Sequence, residues 1–354
     1  MTEPALPPAR VDGPEAAPEA APAAEPVIEA RGLAKVYGGR PAVDGLDLVV
    51  PRGSVFGLLG RNGAGKTTTM RMLLGLIRPT RGTIRLFGRA LERERLALLP
   101  RIGCLVEGPA FYPYLTGRQN LALLGGLIRP VSPEHVQAAL ERVGLGDRGD
   151  DRFGAYSTGM RQRLGIAAAL VHDPELVVLD EPVNGLDPPA VLLVRRLIRR
   201  LVEEEGRTVL VSSHLLHEVE LTCDRLAIIE RGRVVAAGET RALVRPDEER
   251  VEVVADDPAR ALAVCRGLPF VRDAQPAPGA QDGAGAVLVA LDGPRAGDLN
   301  RALVEAGLAV SALVPRRRTL EELFHALARD AAAPGGPAAD GRAAAPGPDG
   351  EAAA

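Results

Sequence analysis

The chain has 354 residues, 46% of them apolar, and a formal net charge of −3. That is room for one large domain and a small one, and the slightly acidic balance argues against a nucleic-acid binder, which would carry a strong basic excess. Only two of the 43 basic residues are lysine, Lys35 and Lys66. Together with abundant Ala, Gly and Pro, this reads as a GC-rich coding bias that turns Lys into Arg. A lysine kept against such a bias is a candidate for a position that needs a compact ammonium; for Lys35, accident is the better reading. Cys104, Cys223 and Cys265 are far apart and share no metal-ligand spacing, which fits reduced thiols of a cytosolic protein. The N-terminus lacks the apolar stretch of a signal peptide, and no apolar run approaches the ~20 residues that span a bilayer. Any membrane part is expected from another chain.

Residues 1–25 are mostly Ala, Pro and Glu and cannot bury enough apolar surface to order themselves, so a disordered tail is expected. The first domain is expected over 26–243. Short apolar runs predict strands over 27–30, 46–50, 55–59 and 83–87. After Gly65 a helix is predicted through Met70, Leu73 and Leu74 to about 77. From 91 to 170 the apolar spacing (Val136, Leu140, Val143) predicts mainly helix. The wholly apolar run 176–179 predicts a parallel strand covered on both faces. A helix over 188–204 follows, with Gly206 as its stop, then a strand over 208–212. Strands alternating with helices mean an α/β sheet. The run from Leu226 through Arg231-Gly232-Arg233 to Ala237 reads as a closing hairpin. A second composition over 249–329 predicts strands at 251–254, 286–291 and 308–314 and helices at 258–266, 299–306 and 320–328. This is a small α+β domain, ferredoxin-like if a further strand lies near Phe270. Residues 330–354 read as a second disordered tail, with no Ile, Leu, Val or Phe from Ala331 onward.

The chemistry begins at Gly60-Arg61-Asn62-Gly63-Ala64-Gly65-Lys66-Thr67, a match to GxxxxGKT between a predicted strand and a predicted helix. Glycines there let backbone N–H groups turn in around phosphate oxygens, and the helix N-terminus adds partial positive charge. Lys66 is placed to reach the β- and γ-phosphates of ATP and the Thr67 hydroxyl to bind Mg²⁺, with Thr68 next in the cradle. Asp180 and Glu181 end the apolar strand, at the edge of the sheet where ligands bind. Asp180 fits a second Mg²⁺ anchor and Glu181 the residue that polarises the attacking water.

Upstream of that pair, Tyr156-Ser157-Thr158-Gly159-Met160 precedes Arg161-Gln162-Arg163-Leu164. The segment resembles the signature of the ABC ATPases, usually LSGGQ before a basic-rich helix. It departs at Tyr156, Thr158 and Met160 and keeps Ser157 and Gly159, the residues that the family uses against the γ-phosphate. The resemblance implies a P-loop NTPase fold with a RecA-like core, an antiparallel β subdomain and a helical subdomain. It implies that Tyr37 stacks on adenine, that Asp187 of Asn184-Gly185-Leu186-Asp187 reaches a partner subunit, and that His214 contacts the γ-phosphate. The family's usual glutamine appears as Glu107, before a Phe111-Tyr112-Pro113 segment, as in ATPases of bacitracin- and lantibiotic-type exporters. Glu107 is expected to approach Mg²⁺ or the lytic water. The segment Pro315 to Phe324 is similar to the accessory domain of drug-exporter ATPases.

The family pairs the phosphate loop of one subunit with the signature of another. The resemblance therefore implies a homodimer or heterodimer closing around two ATPs and driving a separate permease from the inner face of the cell membrane. Residues 111–128 are the expected coupling surface, although their apolar and aromatic side chains read better as subdomain core. The expected substrates are drugs, antibiotics or lipid-like compounds. A soluble ABC protein acting on ribosomes or DNA is the alternative, disfavoured by the charge, the single cassette and the absence of a long coiled coil.

Overall fold

The structure, a computed structural model, describes residues 25–108, 110–244, 248–277, 285–316 and 320–324. In chain order the first domain runs β1 (Ile28–Tyr37), β2 (Arg40–Val50), β3 (Val55–Leu59), α1 (Lys66–Leu73), β4 (Arg81–Leu86), β5 (Arg89–Ala90), α2 (Leu91–Leu98), β6 (Ile102–Leu105), α3 (Gly117–Gly126), α4 (Pro133–Arg142) and α5 (Thr158–Leu170). It continues with β7 (Leu176–Asp180), α6 (Pro188–Glu203), β8 (Thr208–Ser213), α7 (Leu216–Thr222), β9 (Arg225–Glu230), β10 (Arg233–Glu239) and α8 (Thr240–Leu243).

The central sheet has the order β10-β9-β3-β8-β7-β6, parallel except at the β10 edge. Its middle strands β3, β7 and β8 are buried at every residue, because helices cover both faces of a parallel sheet. Alternate side chains feed two cores. Leu59, Leu179 and Val211 face the core shared with α5, α6 and the helical segment α3–α4. Leu58, Val178 and Leu210 face the core shared with α1 and the antiparallel sheet β2-β1-β4-β5. Helix α6 shows how local sequence sets an element: Pro188 starts it, the Asp187 side chain caps it, and Val194, Leu197, Ile198 and Leu201 form its buried stripe.

The second domain runs β11 (Glu248–Ala255), α9 (Pro258–Arg266), β12 (Val271–Pro276), β13 (Ala286–Asp292), α10 (Ala296–Glu305) and β14 (Val310–Arg316). Its antiparallel sheet has the order β12-β13-β11-β14, and Leu299, Leu303, Ala261 and Cys265 pack on it. β12 is the strand sought near Phe270, and it completes a ferredoxin-like βαββαβ pattern. Residues 320–324 are helical, and Leu320 and Phe324 are buried in the core of the first domain.

The structure corrects several boundaries. β1 and β2 extend far beyond 27–30 and 46–50, because they form a long hairpin whose exposed positions mix polar residues with Val36, Tyr37 and Val49. α1 ends at Leu73, not near 77, because Gly75 takes a left-handed φ of 65° and stops it. Strand β6 lies inside the stretch expected to be mainly helical. Residues 325–329 and both expected tails lie outside the described residues, apart from Glu25 at the start.

Candidate active site

Strand β3 delivers the chain into the turn Gly60–Gly65, and α1 starts at Lys66. Gly63 and Gly65 have φ of 82° and 107°, values that side-chain-bearing residues avoid. A Cβ on Gly65 would lie 2.7 Å from the Ala42 carbonyl oxygen, and one on Gly60 would lie 2.5 Å from that of Ile229. No side chain caps the N-terminus of α1, so its first N–H groups are left to a ligand. The Lys66 side chain folds over the turn, donates a 2.6 Å hydrogen bond to the Gly60 carbonyl and is 6% exposed.

Two strand ends, those of β7 and β8, meet this turn. The Thr67 hydroxyl donates to Asp180 Oδ2 at 2.9 Å. The Ser212 hydroxyl donates to Asp180 Oδ1 and accepts from the Glu181 N–H at 2.9 Å. Glu181 sits in the left-handed region at φ 49°, a conformation that costs about 1–3 kcal/mol and persists where the surroundings enforce it. Its carboxylate lies 3.3 Å from the Lys66 ammonium and 2.8 Å from His214 Nδ1. Lys66, Thr67, Asp180, Glu181, Ser212 and His214 therefore form one connected group, and all but Ser212 carry roles assigned from the sequence. Thr68 lies in the first turn of α1, half-buried. A notch of 250 Å³ beside the cradle is lined by Gly60, Arg61, Asn62, His214, Leu216 and Phe324.

Other expected residues stand apart. Glu107, at φ 67°, pairs with Arg71 of α1, and its side chain is 60% exposed. Tyr37 ends β1 and is 47% exposed, with the Lys35 ammonium over its ring. Ser157 caps α5, accepting from the Met160 N–H at 3.3 Å. Asp187 caps α6, accepting from the Ala190 N–H at 3.1 Å. A Cβ on Gly159 would touch Leu186 at 3.5 Å, so the first turn of α5 neighbours the Asn184–Asp187 loop. Among the described residues, no hydrogen bond joins Ser157 or Gly159 to the cradle of the same chain.

A family model described as ABC transporter matches residues 43–184. The bacitracin transport ATP-binding protein BcrA of Enterococcus faecalis is 38% identical over 301 residues, covering 85% of this chain and 96% of that protein. The chain belongs to the ATP-binding subunits of ABC transporters. The daunorubicin/doxorubicin resistance ATP-binding protein DrrA of Streptomyces peucetius is also 38% identical, over 318 residues, with 85% and 92% covered. A solved ATP-binding subunit of an ABC transporter superposes with a TM-score of 0.57 at 30% identity, over 61% of this chain and 91% of that one. The protein is thus an ABC ATPase of the exporter type, binding ATP and hydrolysing it.

In this ABC ATPase the signature departs from the common pattern at Tyr156, and the fold accommodates the change. The tyrosine is 3% exposed and its hydroxyl donates to the Arg148 carbonyl at 2.7 Å. A Cβ at position 117 would lie 2.3 Å from that hydroxyl, so Gly117 makes the space. Burial pushes the Tyr156 phenol above its ordinary pKa. Sequence reasoning gave no role to Ser212, Arg71 or Lys35. For Ser212 the signal was its place at the end of a buried strand beside His214; nothing in the sequence links Arg71 to Glu107. No helix among the described residues is long and apolar enough to cross a membrane.

Proposed function

We propose that this ATPase powers a separate membrane permease exporting drugs, antibiotics or lipid-like compounds, from the inner face of the cell membrane. The domain at 26–243 carries the ATPase and the one at 249–329 is accessory. The observation that carries the catalytic part is the linked group of Lys66, Thr67, Asp180, Glu181, Ser212 and His214 at one sheet edge. The reaction is phosphoryl transfer to water, in which the protein supplies position and charge.

Each residue has a task in this reading. The turn Gly60–Gly65 and the uncapped start of α1 cradle the phosphates, with Arg61, Asn62 and Ala64 as its wall. Lys66 neutralises the β- and γ-phosphate charge. Glu181 polarises the lytic water, and Ser212 fixes its backbone. His214 turns from Glu181 to the γ-phosphate. Tyr37 offers its exposed ring to the adenine. The Thr67 hydroxyl and Asp180 form a hard oxygen pair suited to Mg²⁺, with Glu107 reaching the same region once it leaves Arg71. Bound there, the ion would neutralise charge developing on the β- and γ-oxygens.

Ser157 and Gly159 serve the cradle of a second copy, and Asp187 reaches the same partner. Two copies then close around two ATPs. The substrate class follows the bacitracin and daunorubicin relatives, both aligned over nearly their full lengths. Purification of the tagged chain from gently solubilised cells tests the reading. A multi-helix permease should co-purify in stoichiometric amount. Sedimentation of the chain with ribosomes or DNA, and without a permease, would overturn it.

A further inference from the structure

The chain uses lysine at two of its 43 basic positions. Lys66 serves the phosphates, and the fold gives Lys35 a place near the other end of the proposed nucleotide. Lys35 and Tyr37 lie two residues apart at the end of β1. The Lys35 ammonium sits 5.2 Å from the centroid of the Tyr37 ring. It also donates a 2.7 Å hydrogen bond to the Arg78 carbonyl. Arg78 lies in the connection from α1 to β4, so this bond ties the ring's neighbour to the segment that leaves the phosphate helix. Two more bonds pin the strand end to that connection: Val36 N–H to the Thr80 hydroxyl at 3.1 Å and Thr80 N–H to the Ala34 carbonyl at 2.8 Å. The cation is therefore held in place, and Tyr37 still exposes 47% of its surface.

We propose that Lys35 is a positioning and specificity residue for the nucleotide base, acting through Tyr37. It rests on the reading of Tyr37 as the adenine platform. A cation over one face of an aromatic ring draws the π density toward it. The opposite face becomes less electron-rich and stacks better with an electron-rich purine. The contact also holds the ring in one orientation before the base arrives, which lowers the ordering cost of binding. Lysine suits the place because one compact ammonium meets both the ring and the Arg78 carbonyl; a planar guanidinium would stack along the ring and carry its charge further out.

The test is calorimetric binding of MgATP and of magnesium tripolyphosphate to the full chain and to Lys35→Met, Tyr37→Ala and the double variant. Tripolyphosphate has the charge of the nucleotide tail and no base. A cation–ring contact at an exposed site is worth about two- to fivefold in an equilibrium constant, the most it can pass on to the base, and base stacking itself is worth roughly tenfold. Lys35→Met should weaken ATP about two- to fivefold and leave tripolyphosphate unchanged, and the double variant should bind ATP no worse than Tyr37→Ala. An equal loss with both ligands, no loss of ATP affinity, or an additive loss in the double variant would overturn the role of Lys35 while Tyr37 keeps its own. If Tyr37→Ala itself fails to discriminate the ligands, the platform reading falls, and the proposal with it. Should Lys35→Met fail to fold, Lys35→Gln, which keeps a donor for the Arg78 carbonyl and loses the charge, is read by the same two ligands: a selective loss of ATP affinity supports the proposal, and a wild-type ratio overturns it.

Discussion

Replacing Glu181 by glutamine removes a charge that two groups of the site now share. The Lys66 ammonium lies 3.3 Å from one carboxylate oxygen and His214 Nδ1 2.8 Å from the other. ATP phosphates that take up Lys66 and His214 must first displace this carboxylate. Two unit charges at this separation attract by about 5 kcal/mol at an effective dielectric constant of about 20. Desolvation offsets most of that, because Lys66 is 6% exposed; a hydrogen bond to a charged group contributes about 1.5–3 kcal/mol net. Glutamine keeps one acceptor, so the lower end applies, about 1.5 kcal/mol or roughly tenfold tighter ATP. On the proposed role of Glu181 in activating the lytic water, turnover moves the other way, since an amide cannot take the water's proton, and losing a general base costs about 10²–10⁴-fold. Equilibrium binding of a fluorescent ATP analogue and single-turnover phosphate release measure the two effects. A variant that binds ATP no more tightly than the parent, or hydrolyses it within threefold of the parent rate, refutes the reasoning.

Three further outcomes are expected. Tyr156→Phe loses the hydrogen bond to the Arg148 carbonyl and should cost about 1 kcal/mol in chemical unfolding; Gly117→Ala should cost more, and less so in the Tyr156→Phe background, where the 2.3 Å clash with the hydroxyl is gone. His172 is buried with Nε2 3.1 Å from the Ile102 carbonyl oxygen, and burial first, then Arg129 and Arg207, hold its pKa below the ordinary value near 6.5 against the opposing pull of that bond and Asp173. The unfolded chain therefore binds the extra proton first, so stability is full above about pH 6.5 and falls as the pH drops below it; His172→Gln should flatten that slope in thermal unfolding between pH 5 and 7.5. Glu107→Gln should lower the ATPase rate and change its Mg²⁺ dependence, and an unchanged rate with unchanged dependence would remove Glu107 from the site.

The cradle was legible because its residues are contiguous: a strand, GxxxxGKT and a helix in succession specify the turn. Asp180 and Glu181 were legible for a similar reason, ending a run of apolar residues that only a buried strand explains. The bond network was not. Thr67, Asp180 and Ser212 come from three segments, and their meeting depends on the parallel register that sets Asp180 beside Ser212. The pairing of Arg71 with Glu107 likewise needs α1 laid against the end of β6. The long β1–β2 hairpin escaped because Arg31 and Gly32 interrupt the alternation of β1, and register shifts along the strand absorb the irregularity. β6 is only four residues long, too short to stand out inside a helical stretch. The tyrosine of the signature read as a departure; its meaning came from Gly117, nearly forty positions away, which leaves room for the hydroxyl.

The central claim is that each ATP lies between the cradle of one copy and Ser157 of another. Complementation between two inactive variants of the full chain tests it most directly. Lys66→Ala destroys the cradle, and Ser157→Arg blocks the turn proposed to face it across a dimer. Each alone should hydrolyse ATP at background rate. Mixed in equal amounts with random pairing, half the dimers are mixed and each has one intact site of two, so up to about a quarter of the parent rate should return. A mixture no faster than either variant alone would contradict the shared site.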